Sequence, residues 1–395
     1  MEDYVNVRRM SEEIERQTLA PYASLSSASL GRRHPEEPDE YRTAFQRDRD
    51  RILYSTAFRR LQYKTQVYVI HEGDAYRTRL THTLEVMQHA RTLARVLRAN
   101  EDLTEAIALA HDLGHAPFGH GGEEELDRLL AGEGGFEHNR QSLRIVDRLE
   151  RRYAAFPGLN LCYETREGLA RHTTRYDRPP SEPEFAATPF PGLECQIVNL
   201  ADQLAFCAHD LDDALRSGLL SLEDLRAAKL PLIQALLAAV GERDPVELRR
   251  RLLIRGLIDR LTRAAIQESR RRLGESGVAS PMEVRRYGEP LIALPPAVNE
   301  EFQALQDFLH RAVYEHPSVR IMVSKGRAVL RSLFEKFSEA PALLPRSTQA
   351  RLAEGGETPA RVIGDYLAGM TDRHAVLVYR KIFDPETPVG MGFGD

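Results

Sequence analysis

Apolar residues recur with helical spacing along most of the chain. An early example consists of Val86, Ala90, Leu93 and Leu97, separated by four, three and four residues. Such spacing aligns side chains on one face of an α-helix. The clearest stripe lies within residues 193–215 and contains Ile197, Ala201, Leu204, Ala208, Leu211 and Leu215. Gly218 follows this stripe, so the helix is predicted to end there.

Further patterns predict shorter helices. Leu53, Ala57 and Leu61 recur at i, i+4 and i+8 in a helical region that starts near residue 48. A helix over 104–112 is expected, with Thr104 as its cap and Gly114 and Pro117 as its stop signals. Another is expected over 140–151, and the last strong pattern covers 359–382. Strand signals are few, with one small hairpin expected near 68–75.

The predicted fold class is therefore all-α. Residues 1–42 mix serine, proline and charge without a sustained period, which favours an extended or loosely packed N-terminal arm. We expect a helical core over 43–220, a C-terminal helical region over 221–384 packed on that core, and a flexible tail over 385–395. Five prolines within 178–192 predict a loop-like insertion, a candidate lid or subunit contact.

Composition narrows the class of protein. The chain has 395 residues, of which 42% are hydrophobic and 29% charged, as in globular proteins with a substantial core. Its three cysteines are scattered, which favours a reducing cytoplasm. We expect no signal peptide and no membrane partner, because no apolar run is long enough to span a bilayer. A net charge of -5, 7% aromatics and no tryptophan argue against nucleic acid as the main partner.

Histidines provide the candidate chemistry. Six of the 13 histidines fall within 82–138, and residues 111–120 read HDLGHAPFGH. Imidazole and carboxylate together suit Mn²⁺, Fe²⁺, Zn²⁺ or, less well, Mg²⁺. The adjacent His111 and Asp112 can converge on one ion at a helix end, which Gly114 would provide. His82 is a third candidate ligand.

Asp202 is the best candidate for a fourth ligand. It lies in mid-helix beside the apolar stripe of 193–215, where an unpaired carboxylate would be costly. Phe206 and Asp210 follow at i+4 and i+8, on the same helix face.

Each candidate taken alone has an ordinary explanation. A single histidine such as His82 is usually a core or surface residue, and the polar neighbours of His89 favour a surface position for that side chain. A helical aspartate such as Asp202 often caps a helix or forms an ion pair. Chance is a poor explanation for all of these candidate residues occurring in this order together with the glycine- and histidine-containing loop.

In its sequence motifs the chain resembles the HD superfamily, and specifically the dGTPase-like deoxynucleoside triphosphate triphosphohydrolases. The resemblance covers most of the chain. It is carried by FQRDRDR at 45–51, FRRLQYKTQV at 58–67, RTRLTH at 77–82, HDLGHAPFGH at 111–120, HNRQS at 138–142 and DYLAGMTDR at 365–373. It implies an HD-domain helical bundle with additional C-terminal helices.

The resemblance also implies an activity. Members of this family split a dNTP into deoxynucleoside and inorganic triphosphate, with water attacking the α-phosphorus. The implied ligands of a divalent metal are His82, His111, Asp112 and Asp202. The preferred base and the native metal stay open.

The same resemblance implies roles for other residues. His120 would protonate the leaving oxygen, Glu123 would orient its ring, and His115 would lie beside the phosphates. The implied substrate contacts are Arg79 at the α-phosphate, Gln66 and Asp210 at the sugar 3′-hydroxyl, Phe206 against the sugar or base, and His138 and Asn139 near the site. The family commonly has tyrosine where this chain has Phe206, which leaves fine substrate choice open.

Two other classes of function compete with this interpretation. One is another HD phosphohydrolase, such as a nucleoside monophosphate phosphatase or a (p)ppGpp or cyclic-nucleotide hydrolase. The other is a non-catalytic nucleotide or single-strand-binding protein. Relatives form ring-like oligomers, often hexamers, and some are activated by dNTPs between subunits. The resemblance therefore implies a homo-oligomer, and an activating dNTP is a further candidate partner.

Overall fold

Helices account for the regular structure of this protein. The computed structural model describes residues 6–66, 77–175, 182–241 and 244–388. Within those ranges the regular elements are helices, and β-pairing is limited to isolated bridges. The predicted all-α class is confirmed, whereas the hairpin expected at 68–75 falls outside the described residues. None of the described helices combines the length and the apolar character needed to cross a bilayer.

The N-terminal segment is more ordered than the sequence suggested. It contains helix α1 (Val7–Thr18), which begins where the Asn6 side chain accepts a hydrogen bond from the Arg9 amide. The segment after α1 is anchored, because Ser24 donates both its amide and its hydroxyl to Glu194 at 3.0 Å. Of the two alternatives predicted for this arm, the extended backbone does not hold for α1, which is helical. Its apolar residues have helical spacing but remain largely exposed, so they add little to the core.

The next helices correct two predicted boundaries. They are α2 (Ala44–Leu53), α3 (Thr56–Arg60), α4 (Arg79–Leu97) and α5 (Glu101–Ala110). Ser55 caps α3 and breaks the helix predicted through Leu53, Ala57 and Leu61, leaving Leu53 37% exposed. Helix α5 starts after Asn100, whose side chain accepts from the Leu103 amide. Thr104 is therefore not the cap, and its hydroxyl donates to the Asn100 carbonyl oxygen instead.

Three short helices follow the histidine-rich turn. They are α6 (Gly119–Leu129), α7 (His138–Arg144) and α8 (Tyr163–Ala170). The helix predicted over 140–151 starts earlier, because the Glu137 side chain caps α7, and it ends in a π-helical turn at Ile145–Leu149. Helix α7 lies against the turn at 111–118, since the Gly114 amide donates to the Ser142 hydroxyl at 2.8 Å.

Helix α9 (Leu193–Ser217) is the central helix. It contacts α4, α5 and α8 and also the later helices Val246–Ser276 and Pro296–Leu309. Its predicted apolar stripe is buried up to Leu211. It ends at Gly218, which adopts the left-handed conformation (φ 76°) that favours glycine, as predicted. The described part of the proline-rich segment precedes it and contains the 3₁₀ turn Pro183–Phe185, with Phe185 buried.

The C-terminal region is a series of helices. They are α10 (Leu222–Ala227), α11 (Pro231–Ala238), α12 (Val246–Ser276), α13 (Pro281–Arg286), α14 (Pro296–Leu309), α15 (Pro317–Glu339), α16 (Arg346–Glu354), α17 (Pro359–Ala368) and α18 (Asp372–Phe383). A π-helical turn, His310–Tyr314, separates α14 from α15. The pattern at 359–382 covers two helices, since Thr371 caps α18.

This region braces the histidine-rich turn. Asp372 accepts from the amide and hydroxyl of Thr65 and from the Phe118 amide at 3.0 Å. Phe118 has φ 66°, a left-handed conformation that costs a non-glycine residue about 1–2 kcal/mol, so this hydrogen bond offsets strain. Buried Lys64 donates to the carbonyl oxygens of His115 and Ala368, and burial lowers its pKa to about 7.

Gly114 allows α7 to pack directly on this turn. A Cβ atom at Gly114 would lie 2.1 Å from the His138 carbonyl oxygen and 2.3 Å from the Ser142 nitrogen. We therefore expect Gly114→Ala to lower the free energy of unfolding by about 1–3 kcal/mol through overpacking. Urea unfolding followed by circular dichroism measures this change.

The matched control is Gly274→Ala, which places the same methyl group on α12 with no atom within 4 Å. That variant is expected to gain about 0.5–1 kcal/mol, because glycine within a helix is unfavourable relative to alanine. Equal stability changes in the two variants would contradict the packing argument.

Candidate active site

Three elements bring the predicted metal ligands together. His82 lies in the first turns of α4, His111 and Asp112 in the turn after α5, and Asp202 in the middle of α9. All four side chains are buried. His82 Nε2 lies 3.0 Å and His111 Nε2 lies 3.7 Å from Asp202 Oδ1. Ligand atoms of His82, His111 and Asp202 all lie within 4.8 Å of one another, close enough to share one ion.

The donor chemistry of His111 fits a metal. Its Nδ1 lies 2.7 Å from the Ala108 carbonyl oxygen and therefore carries the proton that it donates there. Its Nε2 is buried without a hydrogen-bond partner in the described part of the chain. Leaving a buried acceptor unsatisfied costs about 1–3 kcal/mol, so a metal ion bound at Nε2 would remove this cost. Two imidazoles and a carboxylate suit a divalent transition metal.

Asp112 lies at the border of this cluster. Its Oδ2 accepts from Arg79 Nη1 at 3.0 Å, and its Oδ1 lies 3.0 Å from His115 Nε2. The distance from Oδ1 to His111 Nε2 is 3.5 Å. Burial would raise the pKa of Asp112, but Arg79, His111 and His115 hold it well below its usual range. Asp112 is therefore ionised and links the candidate ligands to Arg79.

His172 is a neighbour of the cluster that the sequence did not reveal. It follows α8, is buried, and its Nε2 lies 3.2 Å from Asp202 Oδ2. Contacts with His172 and His82 outweigh the effect of burial and hold the pKa of Asp202 well below its usual range. Nothing in the local pattern around His172 indicates this position, because it depends on the approach of α8 to α9.

A hydrogen-bonded chain behind His82 was also missed. His82 Nδ1 and His209 Nδ1 lie 3.1 Å apart, and His209 Nε2 contacts the Glu85 carboxylate. Burial lowers the pKa of His209 to about 4, so its ring is neutral at pH 7. If His209 donates from Nε2 to Glu85, it accepts at Nδ1 from His82, which leaves the Nε2 of a neutral His82 ring without a proton. That tautomer is the one a metal requires.

A second cluster surrounds Glu123. Glu123 Oε1 accepts from the His138 amide at 2.8 Å and lies 2.9 Å from His138 Nδ1. Its Oε2 lies 3.8 Å from His115 Nδ1 and 3.9 Å from His120 Nδ1. Glu123 was predicted to orient His120, whereas its short contacts are with His138. The His138 ring in turn stacks on His115, with centroids 3.9 Å apart.

The other end of the site is aromatic. Tyr314, in the π-helical turn, donates its hydroxyl to Asp210 Oδ2 at 2.7 Å and stacks loosely on Phe206. Burial raises the pKa of Asp210 to about 8, with a smaller contribution from Asp213. Tyr314 is a further residue that the sequence did not indicate, because a π-helical turn is not visible in apolar periodicity.

One cleft collects most of the predicted residues. Its lining includes Gln66, Arg79, His82, Asp112, His115, His120, His138, Asp202 and Phe206. His111 and Asp210 are buried beside it. Glu123 lines an adjoining groove of about 840 Å³ with Tyr314 and Arg320. Asn139 lies outside both linings, and its amide donates to Glu137 and to the His172 carbonyl oxygen.

Comparisons with known proteins agree with this architecture. Residues 79–207 match the HD domain, and residues 292–381 match the phosphohydrolase-associated domain. These ranges contain the candidate ligands and, near the C-terminus, α17 and most of α18, which brace the histidine-rich turn.

Similar proteins cover nearly the whole chain. A deoxyguanosinetriphosphate triphosphohydrolase-like protein of Syntrophus aciditrophicus is 49% identical over 98% of this chain and 100% of its own length. Proteins of the same description from Nitrobacter hamburgensis and Bordetella pertussis are 47% and 50% identical, over 92% and 93% of this chain and 96% of their own lengths. The chain therefore belongs to the HD-domain phosphohydrolases, in the family of deoxyguanosinetriphosphate triphosphohydrolase-like proteins.

Proposed function

We propose that this protein hydrolyses deoxynucleoside triphosphates to deoxynucleoside and inorganic triphosphate, through attack of water at the α-phosphorus. The observation that carries the proposal is the single cleft in which a His-His-Asp cluster adjoins Arg79 and the histidines of α6 and α7. The names of the similar proteins support dGTP as one candidate substrate.

His82, His111 and Asp202, with Asp112 beside them, would hold the divalent metal. When bound, such an ion polarises a phosphate oxygen and lowers the pKa of water. The chain's own contribution is to orient both imidazoles toward one point and to keep Asp202 ionised. His172 and His209 serve this purpose by their contacts with Asp202 and His82.

Arg79 is suited to bind the α-phosphate. Its Nη1 is tied to Asp112, which orients the guanidinium, and its Nε is buried without a hydrogen-bond partner in the described part of the chain. An oriented guanidinium with a free N–H binds phosphate oxygens strongly and directionally. Arg79 would therefore align the phosphate for attack.

His120 is suited to protonate the leaving 5′-oxygen. Its side chain is 40% exposed and lines both the cleft and the adjoining groove. A histidine can release a proton near neutral pH, which the alkoxide leaving group requires. Glu123 would act mainly through His138, whose Nδ1 lies 2.9 Å from its carboxylate.

The sugar end would favour deoxyribose. Gln66 Oε1 is buried without a hydrogen-bond partner among the described residues and can accept from a sugar hydroxyl. Phe206 lines the same cleft as Gln66, and Tyr314 stacks on Phe206 while its hydroxyl donates to Asp210. Steric rejection of an added hydroxyl is a simple route to discrimination against ribonucleotides.

The direct test incubates purified protein with each of the four dNTPs, singly and mixed, with Mn²⁺ or Mg²⁺. We expect deoxynucleoside and intact triphosphate by chromatography. His120→Ala is expected to lower the rate by about 10²–10⁴ with metal content unchanged. His374→Ala, which removes an imidazole from α18 outside the cleft, is the control and should keep full activity. Nucleoside mono- or diphosphate products would contradict attack at the α-phosphorus, and full activity in His120→Ala would exclude its role as proton donor.

The His82–His209–Glu85 chain predicts an effect on metal affinity. His209→Ala removes the acceptor that fixes the tautomer of His82, so we expect divalent-metal affinity to fall by about 10–100-fold. Calorimetric titration with Mn²⁺, without nucleotide, measures it. Gln88→Ala, an exposed change on α4, is the matched control. Equal metal affinity in the two variants would show that His209 does not position His82.

The raised pKa of Asp210 predicts a pH-dependent stability. The folded carboxyl titrates near pH 8, above its ordinary value near 4, so the folded state binds the extra proton between these values. The wild-type free energy of unfolding should therefore include a contribution that is lost as pH rises from about 4 to 8.

Asp210→Asn cannot ionise, so its stability relative to wild type should increase between pH 5 and pH 9 in urea unfolding. Asp259→Asn, at an exposed position on α12, is the control and should show no such trend. A pH-independent difference between Asp210→Asn and wild type would contradict the raised pKa.

A further inference from the structure

The cleft that contains the candidate metal ligands has a second guanidinium group in its lining. Arg175, in the segment after α8, lines the cleft together with Thr174, Gln203 and Gln306. None of these four residues was predicted from the sequence to contact a substrate. Among the described residues of this lining, the guanidinium groups belong to Arg79 and Arg175.

The charged groups considered so far do not balance a triphosphate. Arg79 is paired with Asp112 at 3.0 Å, and Asp202 adds a second carboxylate. A divalent ion beside these groups would leave only a small excess of positive charge, whereas a nucleoside triphosphate carries about four negative charges near neutral pH. Because uncompensated charge is costly in a buried cleft, a further cation is needed.

Contacts with α14 orient Arg175 in the cleft. Its Nη2 lies 2.8 Å from Asp307 Oδ1, and its Nη1 donates to the Gln303 carbonyl oxygen at 3.1 Å. The side chains of Arg175 and Asp307 are 33% and 46% exposed. An ion pair with this exposure is weak, so a phosphate group can share the guanidinium or displace the carboxylate.

The backbone before Arg175 is fixed to the candidate metal site. The Asn199 side chain, on α9, donates to the Thr173 hydroxyl at 3.3 Å. His172, three residues before Arg175, lies 3.2 Å from Asp202 Oδ2. These contacts place the segment that carries Arg175 beside the middle of α9.

The neighbouring glutamines bring no charge to this end of the cleft. Gln203 follows Asp202, and its Nε2 donates to the Asn199 carbonyl oxygen at 3.1 Å. Gln306 lies on α14 and is buried. Amides can supplement a guanidinium group but cannot neutralise a phosphate, so Arg175 is the residue suited to that task.

The other end of the cleft is suited to the nucleoside. His120, which would protonate the leaving 5′-oxygen, lines the adjoining groove with Phe206 and Tyr314, and Arg175 is absent from the lining of that groove. A nucleoside in the groove would leave the terminal phosphates at the end where Arg175 lies. We propose that Arg175 binds the β- and γ-phosphates of the substrate and so favours triphosphates over monophosphates. This inference rests on the proposed function and assigns its phosphate end.

The test is calorimetric binding of dGTP, and separately of dGMP, to the whole chain in EDTA at physiological salt. EDTA removes divalent metal and prevents turnover. We expect Arg175→Ala to bind dGTP about 10–100-fold more weakly than wild type, as for loss of a charge-assisted hydrogen bond. Its affinity for dGMP should be unchanged. Arg175→Lys should recover part of the dGTP affinity, because lysine keeps the charge and loses the paired donors.

The matched control is Asp307→Asn, which breaks the same ion pair and leaves the guanidinium group in place. This variant should bind dGTP at least as tightly as wild type. Equal losses in Arg175→Ala and Asp307→Asn would show that Arg175 only ties the segment after α8 to α14, and would overturn the proposal. Unchanged dGTP affinity in Arg175→Ala, or an equal loss for dGMP, would overturn it as well. Circular dichroism verifies that each variant is folded.

The binding assay and the assay for the proposed function fail separately. Nucleoside mono- or diphosphate products would contradict attack at the α-phosphorus whatever Arg175 binds. Release of intact triphosphate together with unchanged dGTP affinity in Arg175→Ala would refute the role of Arg175 alone.

Discussion

The carboxylate of Asp202 is the constraint on which the site depends. It lies in the middle of α9, a helix buried over most of its length, where an ionised group is costly unless it is paired. His82 and His172 contact its two oxygens, and His111 lies beside them. Satisfying this carboxylate requires α4, the turn after α5 and the segment after α8 to converge on α9. The same convergence creates the donor set for a divalent metal.

The C-terminal helices complete the site by restraining its most strained turn. Asp372 holds the left-handed Phe118 through its amide, and Lys64 links the carbonyl oxygens of His115 and Ala368. Asp365 forms ion pairs with Arg144 and Arg351, which fixes α17 beside α7. Asp365 and Asp372, in the segment 365–373, therefore support the site from outside, since neither lines the cleft.

Two concentrations of charge share α9. One face presents Asp202 and Phe206 to the catalytic cleft, and the end of the same helix presents Asp212 and Arg216 to a separate cavity that Arg77 and Arg250 also line. Glu85 and His209 lie between them and contact Arg77 on one side and His82 on the other. The ion pairs at the end of α9 and the candidate metal ligands are thus connected through Glu85 and His209.

Apolar periodicity in the sequence determined α9 and the all-α class, because burying one helix face requires an apolar residue at every turn. Gly218 determined the end of α9, because glycine readily adopts the left-handed conformation found there. The ordered histidines and Asp202 indicated the cluster, because few other functions need those residues together. The break at Ser55 and the cap at Asn100 were missed. Several residues near each helix start can act as N-caps, and the packing of the helix decides which of them does. His172, His209 and Tyr314 were decided only by the tertiary structure, because each acts through a partner at least 30 residues away. Apolar periodicity indicates which face of a helix is buried, but it does not indicate which residues of other elements contact that face.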